Sequence, residues 1–215
     1  MNQPVFDKIT DFFSKSTTRT YSKGEILTFG DQDPEGVYFL LDGVVEQYDL
    51  TPEGNKITVN IFKPPAFFPM SWAINKTPNT YFYAALTDVK AKQASADKTV
   101  TFLRDNADVT FDLLSRVYKG TDGLLRRLAL ATSGVASNRL IFELLMESYR
   151  FGSDTDDGKR SIKIKQNNLA SRSGLARETV SRELHKLEKE GVLSLTKEGI
   201  LLDVEKLEQS LNSAM

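Results

Sequence analysis

The chain has 215 residues, no cysteine and one histidine, His185. Without thiols there are no disulfides, no iron–sulfur clusters and no thiolate zinc sites. A single imidazole cannot assemble the histidine sets that hold zinc or haem. The same shortage removes cupin-type catalytic barrels, which need several histidines and carboxylates as metal ligands. The expectation is a protein that is not an enzyme and carries no cofactor. Long apolar runs are missing too: nothing approaches the ~20 residues of a membrane-spanning helix. The opening MNQPVFDKITDFF is interrupted by Asp7, Lys8 and Asp11, unlike a secretory leader. A soluble, cytoplasmic protein with no membrane contact is expected. Excess charge is also absent, at −1 overall, so composition gives no global sign of a nucleic-acid partner.

Local charge differs. Between Gly158 and Lys189 stand Lys159, Arg160, Lys163, Lys165, Arg172, Arg177, Arg182, Lys186 and Lys189, against Glu178, Glu183 and Glu188. A basic segment in a near-neutral chain marks a phosphate-binding module or a solvated charged face, and charge alone does not choose between them.

Periodicity divides the chain. Residues 1–16 predict a short amphipathic helix with Val5, Ile9, Phe12 and Phe13 on one side. From Thr17 to about Thr101, short β-type runs alternate with turns at Gly24, Gly30, Gly36, Gly43 and Gly54, the texture of a compact antiparallel sandwich or barrel. KPPAFFPMSWAINKTPN breaks the pattern with Pro64, Pro65, Pro69 and Pro78 and predicts a loop or broken short helix. A long helix follows over 108–133. Leu114, Val117, Thr121, Leu124, Leu128 and Ala131 alternate spacings of three and four, a coiled-coil seam that predicts a homodimer. Phe111, Tyr118 and Leu125 lie off that seam and are expected to pack on the β-domain. Ser133-Gly134 marks a break before a helix over 136–150, and FGSDTDDGKRS reads as a polar loop before a strand in SIKIK.

The C-terminal third has a recognisable order. QNNLASRSG opens a short helix, Gly174 supplies a turn, and RETVSRELHKLEK forms a second helix. VLSLT and GILLD flank Lys197-Glu198-Gly199 as a hairpin, and Asp203 can cap a last helix, VEKLEQSL. Helix, turn, helix and hairpin make a winged helix-turn-helix. On the second helix Val180, Leu184 and Leu187 form an apolar stripe, and Arg177, Glu178, Ser181 and Arg182 stand opposite it. Arginine can fork onto guanine O6 and N7, and glutamate can accept from cytosine N4, so Glu178 and Arg182 can read both bases of one G·C pair. The alternative is an ordinary i, i+4 salt bridge on a solvent face. Lys163 and Lys165 precede the first helix, where they can meet the DNA backbone.

QNNLASRSGLARETVSRELHKLEKEGVLS resembles the DNA-binding element of the CRP/FNR superfamily of bacterial transcription regulators. GDQDPEGVYFLLDGVVEQYDLTPEG resembles that family's N-terminal β-roll, and the helix over 108–133 matches its dimerisation helix. The resemblance covers nearly the whole chain. It implies an α+β fold with a jelly-roll-like antiparallel β-roll (1–107), a dimerisation helix and hinge (108–134) and a winged helix-turn-helix (135–215). It further implies a homodimer on an inverted repeat of double-stranded DNA with a TGTGA-like or TTGAT-like half-site. Base reading then falls to Arg177, Glu178 and Arg182, with Ser181 on a base or the backbone and Gln166 and Asn167 near phosphates. RNA polymerase is a further partner to consider. Family members often cap the recognition helix with serine; Ala176 stands there instead, at a cost of ~1 kcal/mol.

The sensor half departs further. Cyclic-nucleotide-binding members carry Phe-Gly-Glu and a later Arg-Ser; here Pro69 and Met70 occupy the Gly-Glu place, and no arginine lies between Asp31 and Leu103. Loss of cyclic-nucleotide binding is expected. Phe68, Trp72, Lys76, Tyr81 and Tyr83, with Phe67 and Phe82, either line a pocket for an unknown small-molecule effector or form the roll core. A β-roll regulatory protein that senses a small molecule without reading bases is the competing function.

Overall fold

The structure is a computed structural model and describes residues 2–212; Met1 and the last three residues, which the sequence-drawn boundaries include, lie outside the described residues. In chain order the elements are α1 (Gln3–Ser14), β1 (Thr17–Tyr21), β2 (Ile26–Thr28), β3 (Val37–Asp42), β4 (Val45–Leu50), β5 (Lys56–Phe62), β6 (Ala66–Phe68), α2 (Met70–Asn75), β7 (Phe82–Ala85), β8 (Val89–Ala94), α3 (Ala96–Asp105), α4 (Ala107–Thr132), α5 (Ala136–Phe151), β9 (Ser153–Asp154), β10 (Arg160–Ile162), α6 (Gln166–Ser173), α7 (Arg177–Lys189), β11 (Leu193–Leu195), β12 (Ile200–Leu202) and α8 (Val204–Asn212). They form two compact units, 1–120 and 121–215, and the division falls inside α4.

In the first unit, two four-stranded antiparallel sheets, β1-β8-β3-β6 and β2-β7-β4-β5, make the roll. Strand β3 shows why it holds together. Its VYFL run is buried on both faces, and side chains alternate across a strand. Val37 and Phe39 join Val5, Ile9 and Phe13 of α1, while Tyr38 and Leu40 join Leu27, Val45 and Tyr83 inside the roll. Strand β6 does the same, sending Phe67 to the helix-covered side and Phe68 into the roll. Each apolar side chain fully buried in this way contributes about 1.5–3 kcal/mol. Trp72 on α2 packs, half-buried, against the α1 side. Between β3 and β4 the chain turns at Gly43, with φ 88°; an added Cβ would lie 2.2 Å from the Asp88 carbonyl oxygen.

Four expectations are corrected here. In the proline-rich stretch α2 is the short helix that was expected, but a strand precedes it: β6 pairs with β3 through Tyr38–Phe68, Phe39–Phe67 and Leu40–Ala66. The β texture ends before Thr101, because Ser95 caps α3 by accepting from the Lys98 N–H, and Thr99 and Leu103 are buried from that helix. FGSDTDDGKRS is itself a small hairpin, with β9 on β10 and the strand beginning at Arg160. Phe111, Tyr118 and Leu125 are not buried; they stand 73%, 63% and 59% exposed, and it is Val109 and Leu113 that pack into the first unit's core.

Helix α4 therefore carries a broad uncovered apolar face. Leu114, Val117, Leu124 and Leu128 are all exposed, as are Thr121 and Ala131. The opposite side of the same helix is occupied: the Arg116 guanidinium donates to the Pro65 carbonyl at 2.8 Å, and Leu130 is buried. Among the described residues no helix is long and apolar enough to cross a membrane.

Candidate nucleic-acid interface

The second unit is built around α5, whose Leu140, Ile141, Leu144 and Leu145 are buried against Leu169 of α6, Val180, Leu184 and Leu187 of α7, and Ile200 and Leu202 of β12. This core fixes α7 by its apolar stripe, so the opposite stripe must face outward. Arg177, Glu178 and Arg182 are exposed and Ser181 is half-buried. Arg182 turns to Glu183 at 3.5 Å rather than to Glu178, so the i, i+4 pair of the competing reading does not form among the described residues.

Polar contacts from α5 hold the two helices in register. Gly174 ends α6 in the left-handed conformation, with φ 61°. Arg139 closes over this turn: its Nε and Nη2 donate to the Ser173 carbonyl at 3.0 and 2.6 Å, and Nη2 also reaches the Gly174 carbonyl at 2.7 Å. A cation there also complements the negative end of the α6 dipole. Ser137 Oγ donates to Glu183 on α7 at 2.7 Å. Beneath them Arg172 and Glu147 form an ion pair with both partners under 10% exposed. Burial pushes the Glu147 carboxyl above its usual range, against the pull of Arg172. Arg127 forks onto buried Glu143 at 2.6 and 3.2 Å.

The wing follows directly. Strands β11 and β12 pair, and the Thr196 N–H donates to the Gly199 carbonyl at 2.9 Å to close the tip. Glu188 of α7 accepts from the Leu195 N–H at 2.8 Å, which ties the wing to α7 and takes one carboxylate off the outward face. Asp203 accepts from the Lys206 N–H at 3.1 Å, and this bond keeps its carboxyl below the usual range. Ala176 offers the start of α7 no side-chain cap.

The candidate residues separate into groups. Lys163 and Lys165 are exposed between β10 and α6, Asn167 is exposed and Gln166 half-buried on the first turn of α6. Three cations of the basic segment are engaged elsewhere and are withdrawn from it: Arg172 with Glu147, Arg160 with Asp154 and the Gly152 carbonyl, and Lys159 with Asp157. The aromatic set divides between the two packed clusters of the first unit. Phe68 stacks on Tyr38, Phe62 and Tyr83 with ring centroids 5.4, 5.0 and 5.5 Å apart, so Phe68 and Tyr83 are roll core. Tyr81 packs at the edge of that core, Trp72 belongs to the other cluster, and Lys76 is exposed beside Asp97 at 3.4 Å. An open groove of about 360 Å³ lies elsewhere, lined by Thr20, Tyr21, Asp42, Asp88 and Lys90 among others.

Sequence reasoning missed Arg139 and the Glu147–Arg172 pair. The signal for the pair was Glu147, with Glu143, inside the apolar run LIFELLMES, where an acid needs an inward partner. It also left His185 without a role. That ring is exposed on α7, with Nδ1 2.8 Å from the Ser181 carbonyl oxygen.

Known proteins share this organisation. Residues 18–106 match the cyclic nucleotide-binding domain family, and residues 138–210 match the Crp-like helix-turn-helix domain family. The chain is 27% identical over 203 residues to the global nitrogen regulator of Synechocystis sp., covering 91% of this chain and 88% of that protein. It is 27% identical over 178 residues to the transcriptional regulator SdrP of Thermus thermophilus, covering 82% and 84%. A solved transcriptional regulator of the CRP/FNR family from Thermus thermophilus superposes with TM-score 0.75 at 25% identity, over 93% of this chain and 100% of that one. With a roll, a long helix and a winged helix-turn-helix in the same order along most of its length, the chain belongs to the CRP/FNR family of DNA-binding transcription regulators.

Proposed function

We propose that this regulator acts as a cytoplasmic homodimer on an inverted-repeat operator, reading each half-site with Arg177, Glu178, Ser181 and Arg182. The observation that carries the reading is the two-sided α7: Val180 and Leu184 are fully buried while Arg177, Glu178 and Arg182 are exposed. The working division is a roll (1–107), a dimerisation helix and hinge (108–134) and a DNA-binding domain (135–215). Two-fold pairing puts successive major grooves about 34 Å apart in front of the two copies of α7. Glu178 and Arg182 share one G·C pair, while Lys163, Lys165, Gln166 and Asn167 meet the phosphates.

A panel of half-site variants tests this. Arg182→Ala or Glu178→Ala should cost ~1–3 kcal/mol at one base pair and relax preference there. Glu178→Ala should relax discrimination more than it weakens binding, because it also removes a negative charge near phosphates. Lys163→Ala or Lys165→Ala should weaken every sequence alike and flatten the salt dependence. If both α7 variants keep the wild-type preference at every position, α7 does not read bases.

The regulator works without a cyclic nucleotide. Pro69 precedes α2, with no N–H to offer a phosphate, and Lys76 lies exposed beside Asp97. Four stacked aromatic rings fill the roll. Calorimetry with cyclic AMP or cyclic GMP should show no saturable binding in the micromolar range; a saturable isotherm would reverse this reading.

A further inference from the structure

We propose that His185 is a specificity-determining residue that reads an exocyclic amino group, on cytosine or adenine, through Nε2. The inference rests on DNA binding through α7. It starts from the one histidine of the chain, which stands on the outward stripe of that helix. Seven residues separate Glu178 from His185. Two helical turns return the side chain to within about 20° of the same direction, about 10 Å further along the axis. His185 therefore extends the line begun by Glu178, and it borders Ser181 and Arg182.

The ring's hydrogen bond fixes what it can recognise. Nδ1 lies 2.8 Å from the Ser181 carbonyl oxygen. A carbonyl only accepts, so Nδ1 carries the hydrogen, and in the neutral ring Nε2 is left as a lone-pair acceptor. Elsewhere on this face Arg177 and Arg182 offer donors only, and Glu178 is the charged acceptor. Ser181 offers a hydroxyl that can donate or accept, and His185 adds an acceptor that cannot donate and carries no negative charge for the phosphates to repel. In the major groove the donors are cytosine N4–H₂ and adenine N6–H₂, while guanine O6 and N7 and thymine O4 are acceptors. An Nε2 acceptor thus favours cytosine or adenine and disfavours guanine and thymine at one position. At 3.4 Å per base pair, that position lies about three steps from the G·C pair read by Glu178.

The test begins with full-length wild-type protein selecting its operator from randomised double-stranded DNA. Single-base-pair variants of the selected half-site are then titrated with wild type, His185→Ala and His185→Lys at several salt concentrations. Wild type should prefer an amino-bearing base at that position by about 3- to 10-fold, the span of one net hydrogen bond. His185→Ala should erase that preference, keep all others and leave the salt slope unchanged. His185→Lys, which supplies only donors, should shift the preference to guanine. A His185→Ala protein that binds every sequence more weakly with a flatter salt slope would make the ring a phosphate contact and overturn the proposal. Unchanged preferences in both variants would overturn it too. A wild type that selects no sequence would overturn this inference together with base reading by α7, whereas a failure confined to the His185 variants leaves that reading standing.

Discussion

A Leu128→Glu variant should sediment as a monomer at micromolar concentration, where the wild type sediments as a dimer. Leu128 is 61% exposed in the single chain, within a face of α4 that also carries Phe111, Leu114, Val117, Tyr118, Leu124 and Leu125. So many large apolar side chains on one uncovered helix face need a partner, and their seven-residue repeats suit a second copy of the same helix. In a two-fold pair both introduced carboxylates would be buried without a counter-charge. An unpaired buried charge costs about 3–5 kcal/mol, which weakens the dimer by two orders of magnitude or more. Operator binding should fall with it, because two half-sites are held only by two joined copies of α7. Leu128→Met, similar in volume, should leave both properties near wild type. A wild type that is monomeric at micromolar concentration would refute the assignment of this face.

Glu147→Ala should destabilise the second unit by about 3–5 kcal/mol, read by chemical denaturation of the full chain. The variant strands the Arg172 guanidinium, 8% exposed, beneath α6. Replacing both partners, Glu147→Leu with Arg172→Met, should recover most of that loss, because an apolar pair of similar volume needs no desolvated charge. If the double variant is as unstable as the single one, the pair is not what supports α6. The same carboxyl gives a pH signature. Its folded pKa is raised by burial, so its contribution is fully present below the unfolded carboxylate pKa and is lost as pH rises through the folded value. Wild-type stability relative to Glu147→Gln should therefore decline with rising pH above the ordinary carboxylate range.

The parts legible in the sequence are those whose apolar residues keep a regular spacing or an unbroken run between turns. Helix α7 was readable because Val180, Leu184 and Leu187 repeat at helical spacing and its charges fall between them. Strand β3 was readable as an apolar run bounded by Gly36 and Gly43. Helix α3 was hidden because Thr99, Val100 and Thr101 are β-branched and suit a strand; burial of Thr99 and Leu103 and the Ser95 cap outweighed that preference. Strand β6 was hidden because it is three residues long with prolines on both sides. Charge counting overstated the basic face, since nothing local distinguishes Arg172, which points inward to Glu147, from Arg182, which points to solvent. The aromatic stretch read first as roll core, with a pocket lining as the alternative. Only the pairing of β6 with β3 sends Phe68 onto Tyr38.

The half-buried indole of Trp72 gives the molecule a built-in optical separation of its parts. It is the one tryptophan in the chain, and it lies in unit 1–120, whereas α7 and the wing lie in unit 121–215. Fluorescence excited at the red edge of protein absorption therefore comes from the roll side alone. A change in emission during a DNA titration therefore reports on the surroundings of Trp72 in the first unit. The unmodified protein thus carries its own optical reporter on the roll side, separate from the unit that holds α7.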